Sequence, residues 1–152
     1  MSLPDVAGHE LQDLIGSGSC GAVYSSQSAA GKLQAVKGLS SLAINRKELS
    51  TACQALHNAP PHAGVLPIED FCFDRSPYYI ATPLVGVVTK DGHGRRRWET
   101  PTLETACHQN MPNEEAWRII YDLADAIAWL HKHGLPHGNL RPSNVPLEGD
   151  AQ

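Results

Sequence analysis

No stretch of this 152-residue sequence is apolar for long enough to cross a bilayer. No Cys-x-x-Cys pair occurs either. Cys20, Cys53, Cys72 and Cys107 lie far apart, which argues against a zinc ribbon or a disulfide framework and predicts reduced thiols in a cytoplasmic setting. The first residues, Met1 to Asp5, lack the basic-then-apolar pattern of a signal segment. No internal repeat is visible. Strong charge of one sign is missing too: 12 Lys and Arg stand against 16 Asp and Glu, for a net charge of −4. Neither nucleic acid nor a membrane is therefore expected as a partner. The one basic run, Arg95-Arg96-Arg97, follows a glycine-containing turn and reads as a solvated loop. His131, His133 and His137 are spaced as no zinc template requires. With 41% hydrophobic and 18% charged residues, the composition is that of a folded globular chain.

The stretch around which the rest is organised is Ile15-Gly16-Ser17-Gly18-Ser19-Cys20-Gly21-Ala22-Val23. Its G-x-G-x-x-G spacing makes a backbone that can approach a phosphate, because residues without Cβ let successive N–H groups point into one concavity. A turn signal at Ala30-Gly31-Lys32 then leads into an apolar run ending in Ala35-Val36-Lys37. The order is strand, glycine turn, strand, hairpin, strand, with a lysine on the third strand. A dinucleotide fold would pass from the glycines into a helix. A Walker loop would carry its lysine directly after the last glycine, where this chain has Ala22.

At these residues the chain resembles the protein kinase family, of the Ser/Thr type, whose signature joins a glycine-rich loop to an A-x-K strand. A second match comes at His137-Gly138-Asn139-Leu140-Arg141-Pro142-Ser143-Asn144, which is similar to the catalytic loop H-R-D-L-K-P-x-N. The resemblance implies an α+β fold. A kinase-like N-lobe, an antiparallel five-stranded sheet plus one helix, would occupy residues 1–85. A hinge insertion, the first helices of an incomplete C-lobe and the catalytic-loop remnant would follow in 86–152. It also implies ATP as the bound nucleotide, held by the loop residues Ile15 to Val23, by Ala35 and by Lys37. The helical glutamate that pairs with the strand lysine is best matched by Glu48. Thr82 would guard the back of the adenine site, and Pro83 to Val85 would form the hinge. A proline at position 83 removes only its own N–H, while the first hinge residue offers adenine its carbonyl.

Between these motifs, Glu10–Ile15, Gly64–Phe73 and Tyr78–Thr82 read as strands and residues 41–57 as a helix. Gly86 to Glu99 is polar, with a turn at Asp91-Gly92-His93-Gly94. Thr102 to Thr105 opens a short helix, and Asn113-Glu114-Glu115 caps a longer one. Trp117, Ile120, Tyr121, Ala124, Ile127, Ala128 and His131 recur on that longer helix at 3.6-residue spacing, and Ile119, Leu123 and Leu130 widen its apolar surface. Gly134 is its expected C-cap.

The departures fall on the chemistry. Asn139 stands where the family has the aspartate that takes the substrate hydroxyl's proton, and a carboxamide cannot hold that proton near neutral pH. Gly138 replaces an arginine. Arg141 replaces a lysine, keeping the charge and changing its shape. Asn144 is retained as a magnesium ligand, but no Asp-Phe-Gly follows before Gln152, so Mg²⁺ binding is expected to be weakened. The expectation is a fragment or truncated product, pseudokinase-like, that binds ATP and transfers phosphate poorly. An exposed apolar helix would then call for a protein partner or self-association. The alternatives are an interaction scaffold without nucleotide binding and part of a longer active Ser/Thr kinase.

Overall fold

The computed structural model describes residues 3–18, 21–40, 45–135, 140 and 144–147. Among these described residues seven strands and three helices follow in the order β1 (His9–Gly18), β2 (Gly21–Ser28), β3 (Leu33–Leu39), α1 (Arg46–Asn58), β4 (Asp70–Cys72), β5 (Tyr78–Pro83), β6 (Val87–Lys90), β7 (Arg96–Glu99), α2 (Leu103–Cys107) and α3 (Asn113–Lys132). They form two compact units. One comprises Met1–Pro60 with Leu66–Leu84, the other Pro61–Val65 with Val85–Gln152.

The first unit is the expected five-stranded antiparallel sheet, ordered β1-β2-β3-β5-β4, with one helix. Side chains alternate faces along each strand. One face carries Val36, Tyr79 and Ala81, closed over by Val6 from the segment before β1 and flanked by Leu11 and Cys72. The sheet curls enough on this side that its two edge strands touch. His9 on β1 donates from Nε2 to Asp70 Oδ2 on β4 at 2.7 Å, and Tyr79 donates its hydroxyl to the same oxygen at 2.7 Å. Burial pushes the Asp70 carboxyl up, but the bonds from His9, Tyr79 and the Phe71 N–H outweigh it and hold it below the ordinary carboxylate range. Burial, with the Asp70 bond, pushes the Tyr79 phenol well above its usual value. In the middle of β1 the register shifts between Leu11 and Leu14, and the buried Ser25 hydroxyl accepts the Asp13 N–H at 3.0 Å inside the irregularity.

Helix α1 starts at Arg46 rather than at 41, because Asn45 caps it by accepting the Glu48 N–H. Residues 41–44 lie outside the described residues. Within the 64–73 stretch only Asp70–Cys72 is strand. Pro67 has no N–H to give a ladder, and 61–65 belongs to the second unit.

In the second unit, 86–99 is more ordered than its polar composition suggests. β6 and β7 pair as an antiparallel hairpin. Asp91 organises its turn by accepting the N–H groups of His93 and Arg95 and the Arg95 Nε–H at 2.8–2.9 Å. The Arg95 N–H first, and the others with it, hold the Asp91 carboxyl below its usual value. Thr102 caps α2 in a reciprocal box with Thr105. Asn113 is the first helical residue of α3, with Pro112 at the N-cap position. Gly134 follows the helix at φ +71°, the left-handed conformation in which a helix commonly ends. The buried stripe of α3 includes Ala126 and Leu130. Against this helix lies the loop 61–65. His62 accepts the Gly64 N–H at Nδ1, so its Nε2 carries the proton and donates to Asp125 at 2.9 Å. Among the described residues no helix is long and apolar enough to cross a membrane.

Candidate functional site

The glycine-rich segment is the junction of β1 and β2, which pair out to Gly18 opposite Gly21. Ser19 and Cys20, the two residues between, lie outside the described residues. The three glycines serve different physical ends. Gly21 has φ +140°, and a Cβ on it would fall 1.8 Å from the Gly38 carbonyl oxygen. Only glycine fits there. A Cβ on Gly16 or Gly18 would meet no atom within 4 Å. Among the described residues no packing contact requires glycine at those two positions, which leaves room for an approaching group.

The register then decides which side chains accompany that backbone. Gly16, Val23, Lys37, Ile80 and Phe71 form one continuous rung across all five strands. Directly paired residues of antiparallel strands share a face. The neighbouring rung on the same face holds Ser25, Ala35 and Thr82. Gly16, Gly18, Val23, Ala35, Lys37 and Thr82 thus lie together on the face opposite the Val6–Tyr79 core. Ser17 and Ala22 pair with each other on the other face, and Ile15 sits at the irregularity between Leu14 and Gly16. Pro83 ends β5 opposite Gln34, where a missing N–H costs little.

Lys37 is exposed, and among the described residues no ion pair joins it to Glu48. Glu48 is also exposed, in the first turn of α1. In the second unit the Val85 carbonyl accepts the Thr100 hydroxyl at 2.8 Å. Asn144 is exposed. It adjoins Val145, whose carbonyl accepts the Leu103 N–H at 2.9 Å at the start of α2. Asn139 and Arg141 lie outside the described residues.

Strand backbone at Gly16 and Gly18 with room where a Cβ would stand, and the Lys37 ammonium on the same sheet face, suit a polyphosphate. Among the described residues there is no group of three His, Cys, Asp or Glu side chains able to hold a metal. Of the histidines considered for zinc, His133 instead bonds the Trp129 carbonyl through Nδ1 at 2.8 Å.

Sequence reasoning missed the His9–Asp70–Tyr79 cluster. Asp70 and Tyr79 lie nine residues apart on the paired strands β4 and β5, but His9 comes from β1, 61 residues before Asp70, and no local pattern joins it to them.

The protein kinase domain family model matches residues 9–152. An L-type lectin-domain containing receptor kinase S.7 of Oryza sativa is 24% identical over 147 residues, 94% of this chain and 20% of its own length. The serine/threonine-protein kinase PknD of Chlamydia caviae is 23% identical over 86 residues, 57% of this chain and 9% of its own. This chain therefore spans a fifth or less of the length of those relatives. Among solved structures, the maize SIRK1 (sucrose-induced receptor kinase 1) kinase domain bound to AMP-PNP superposes with a TM-score of 0.66 at 21% identity, over 91% of this chain and 47% of that one. The order of sheet and helices, the register under the glycine turn and the extent of the family match lead to one conclusion: this chain belongs to the protein kinase domain family.

Proposed function

We propose that this chain binds ATP through the glycine turn and the Lys37 face, and that it transfers phosphate slowly or not at all. The observation that carries the reading is the shared rung of Gly16, Val23 and Lys37, where no described atom fills the space that a Cβ on Gly16 or Gly18 would take. In this reading the N–H groups of the turn bond the phosphates and Lys37 neutralises their charge. Val23 and Ala35 supply the apolar contact above the base. Thr82 bounds that site, and the backbone of Pro83 and Val85 serves the adenine edge. The structural likeness to a kinase domain holding an ATP analogue supports the same reading. Glu48 is the carboxylate within the same unit that would steady Lys37 once nucleotide is bound.

The weak step is proton removal. Asn139 accepts a hydrogen bond from a hydroxyl and cannot take its proton, and general-base help is worth about 10²–10⁴-fold. Arg141 keeps the positive charge of the lysine it replaces, and Asn144 would offer Mg²⁺ one amide oxygen, a weakened metal site. A pseudokinase role in a reducing, cytoplasmic compartment accords with these substitutions and with the unbridged Cys53, Cys72 and Cys107.

A second reading, an interaction module, has its own support. Trp117 is 71% exposed and Tyr121 74%, with Ile120 beside them on one side of α3. Apolar surface of that size commonly meets a protein partner or a second copy. A thermal melt with millimolar ATP, with and without Mg²⁺, tests the first reading. Stabilisation by ATP supports it. No shift at saturating ATP leaves the interaction module.

A further inference from the structure

The β6–β7 hairpin carries a charge arrangement that folding does not call for. Lys90 pairs directly with Arg96 across the two strands, and Val88 pairs with Trp98 one rung further on the same face. Two like charges directly opposed in an antiparallel pair repel at Cβ separations near 5 Å. Among the described residues neither Lys90 nor Arg96 has an ion-pair partner. Arg95 differs, since Asp91 holds it at 2.9 Å. Arg97 differs too, because it points to the opposite face, which Glu99 shares. The Arg96 guanidinium lies 6.0 Å from the Trp98 ring centroid, which limits its swing. Val88 is 42% exposed and Lys90 and Arg96 are exposed.

We propose that this face docks an acidic, extended peptide segment of a partner protein. Side chains of an extended peptide return to one face every second residue, about 7 Å apart. The two rungs of the hairpin repeat at the same interval. An acidic residue would therefore meet the Lys90–Arg96 rung while an apolar residue two positions away met Val88 and Trp98. Carboxylates suit the arginine fork. Nucleic acid suits the face poorly. It needs several neutralised phosphates, whereas here one rung is cationic and the chain as a whole carries −4. The proposal holds whether or not the chain binds nucleotide.

Fluorescence anisotropy tests it, using the full chain and a labelled peptide of alternating Asp and Val. Saturable binding is expected, weakened several-fold as salt rises from about 0.05 to about 0.3 M. The double variant Lys90→Glu, Arg96→Glu should bind at least ~10-fold more weakly. Arg97→Glu reverses a charge on the other face of the same hairpin and should bind within about twofold of the unaltered chain. Absence of binding overturns the proposal, as does equal binding of a peptide with Asn in place of Asp. An equal loss in Arg97→Glu reduces the effect to general charge and also overturns it. Tighter binding of single-stranded oligo-dT than of the acidic peptide would replace the peptide by nucleic acid. The salt and Asn-peptide arms use unaltered protein, so they decide the matter even if the double variant misfolds.

Discussion

Gly21 and Gly38 approach each other across β2 and β3 so closely that a Cβ on Gly21 would fall 1.8 Å from the Gly38 carbonyl oxygen. The third glycine of the turn is thus a folding residue, while among the described residues nothing fills the place of a Cβ on Gly16 or Gly18. Gly21→Ala should cost about 2–4 kcal/mol, since it adds strain at φ +140° to a backbone overlap. Gly18→Ala should change stability by no more than about 0.5 kcal/mol and should still weaken ATP binding. Urea unfolding of both variants beside an ATP titration of Gly18→Ala checks the division. Equal destabilisation by the two substitutions would contradict it.

The His9–Asp70–Tyr79 cluster predicts how stability varies with pH. The Asp70 carboxyl is held below its ordinary value in the folded chain. Its contribution is therefore complete above the unfolded carboxylate pKa, about 4, and is lost as pH falls through the lower folded value. Tyr79 is raised. Its contribution is complete below about pH 10, the unfolded phenol's value, and is lost as pH climbs through the higher folded one. Asp70→Asn should flatten the acid limb and cost about 1–2 kcal/mol at pH 7. Tyr79→Phe should flatten the alkaline limb. Urea unfolding from pH 2.5 to 11 reads both slopes, and unchanged limbs in the variants would contradict the assignment.

A third expectation concerns the loop 61–65. His62 bonds Asp125 and accepts the Gly64 N–H, and a Cβ on Gly64 would come 3.0 Å from Ala126 Cβ. His62→Ala and Gly64→Ala should each cost about 1–3 kcal/mol. Hydrogen exchange should show the loss in α3 before it appears in the five-stranded sheet. Loss confined to the sheet would contradict the pairing of loop and helix.

Much of this was legible because the signals were local. Glycine spacing, the Ala30–Lys32 turn and alternating apolar residues specify β1 to β3, and period two then puts Val23, Ala35 and Lys37 on one face. The β6–β7 hairpin was not legible. Its strands hold Thr89, Lys90, Arg96, Arg97 and Glu99, so no apolar alternation marks them, and the order comes from Asp91 gathering backbone donors. The apolar residues of α3 were legible as helix but not as to which would be covered. Trp117 and Tyr121 fit the periodic pattern yet are exposed, while the stripe with Ala126 and Leu130 is buried. Nothing in a sequence period distinguishes two apolar stripes of one helix.

Phosphate transfer separates the pseudokinase reading from that of an active kinase. Asn139→Asp should raise transfer from ATP to a generic protein acceptor by about 10²-fold or more if the missing proton acceptor is the limiting defect. Radiolabelled phosphate incorporation at equal protein concentration measures it. Equal and substantial rates in both forms would mean that position 139 is not needed as a base.

The central claim is that the Lys37 ammonium and the open glycine backbone together hold a triphosphate. Isothermal titration of ATP into the unaltered chain and into Lys37→Ala tests it most directly, with Lys32→Ala, whose ammonium is paired with Glu69, as the control. The account predicts saturable binding, a loss of about 10-fold or more in Lys37→Ala, and an unchanged affinity in Lys32→Ala. No binding, or equal affinity in all three proteins, would contradict it.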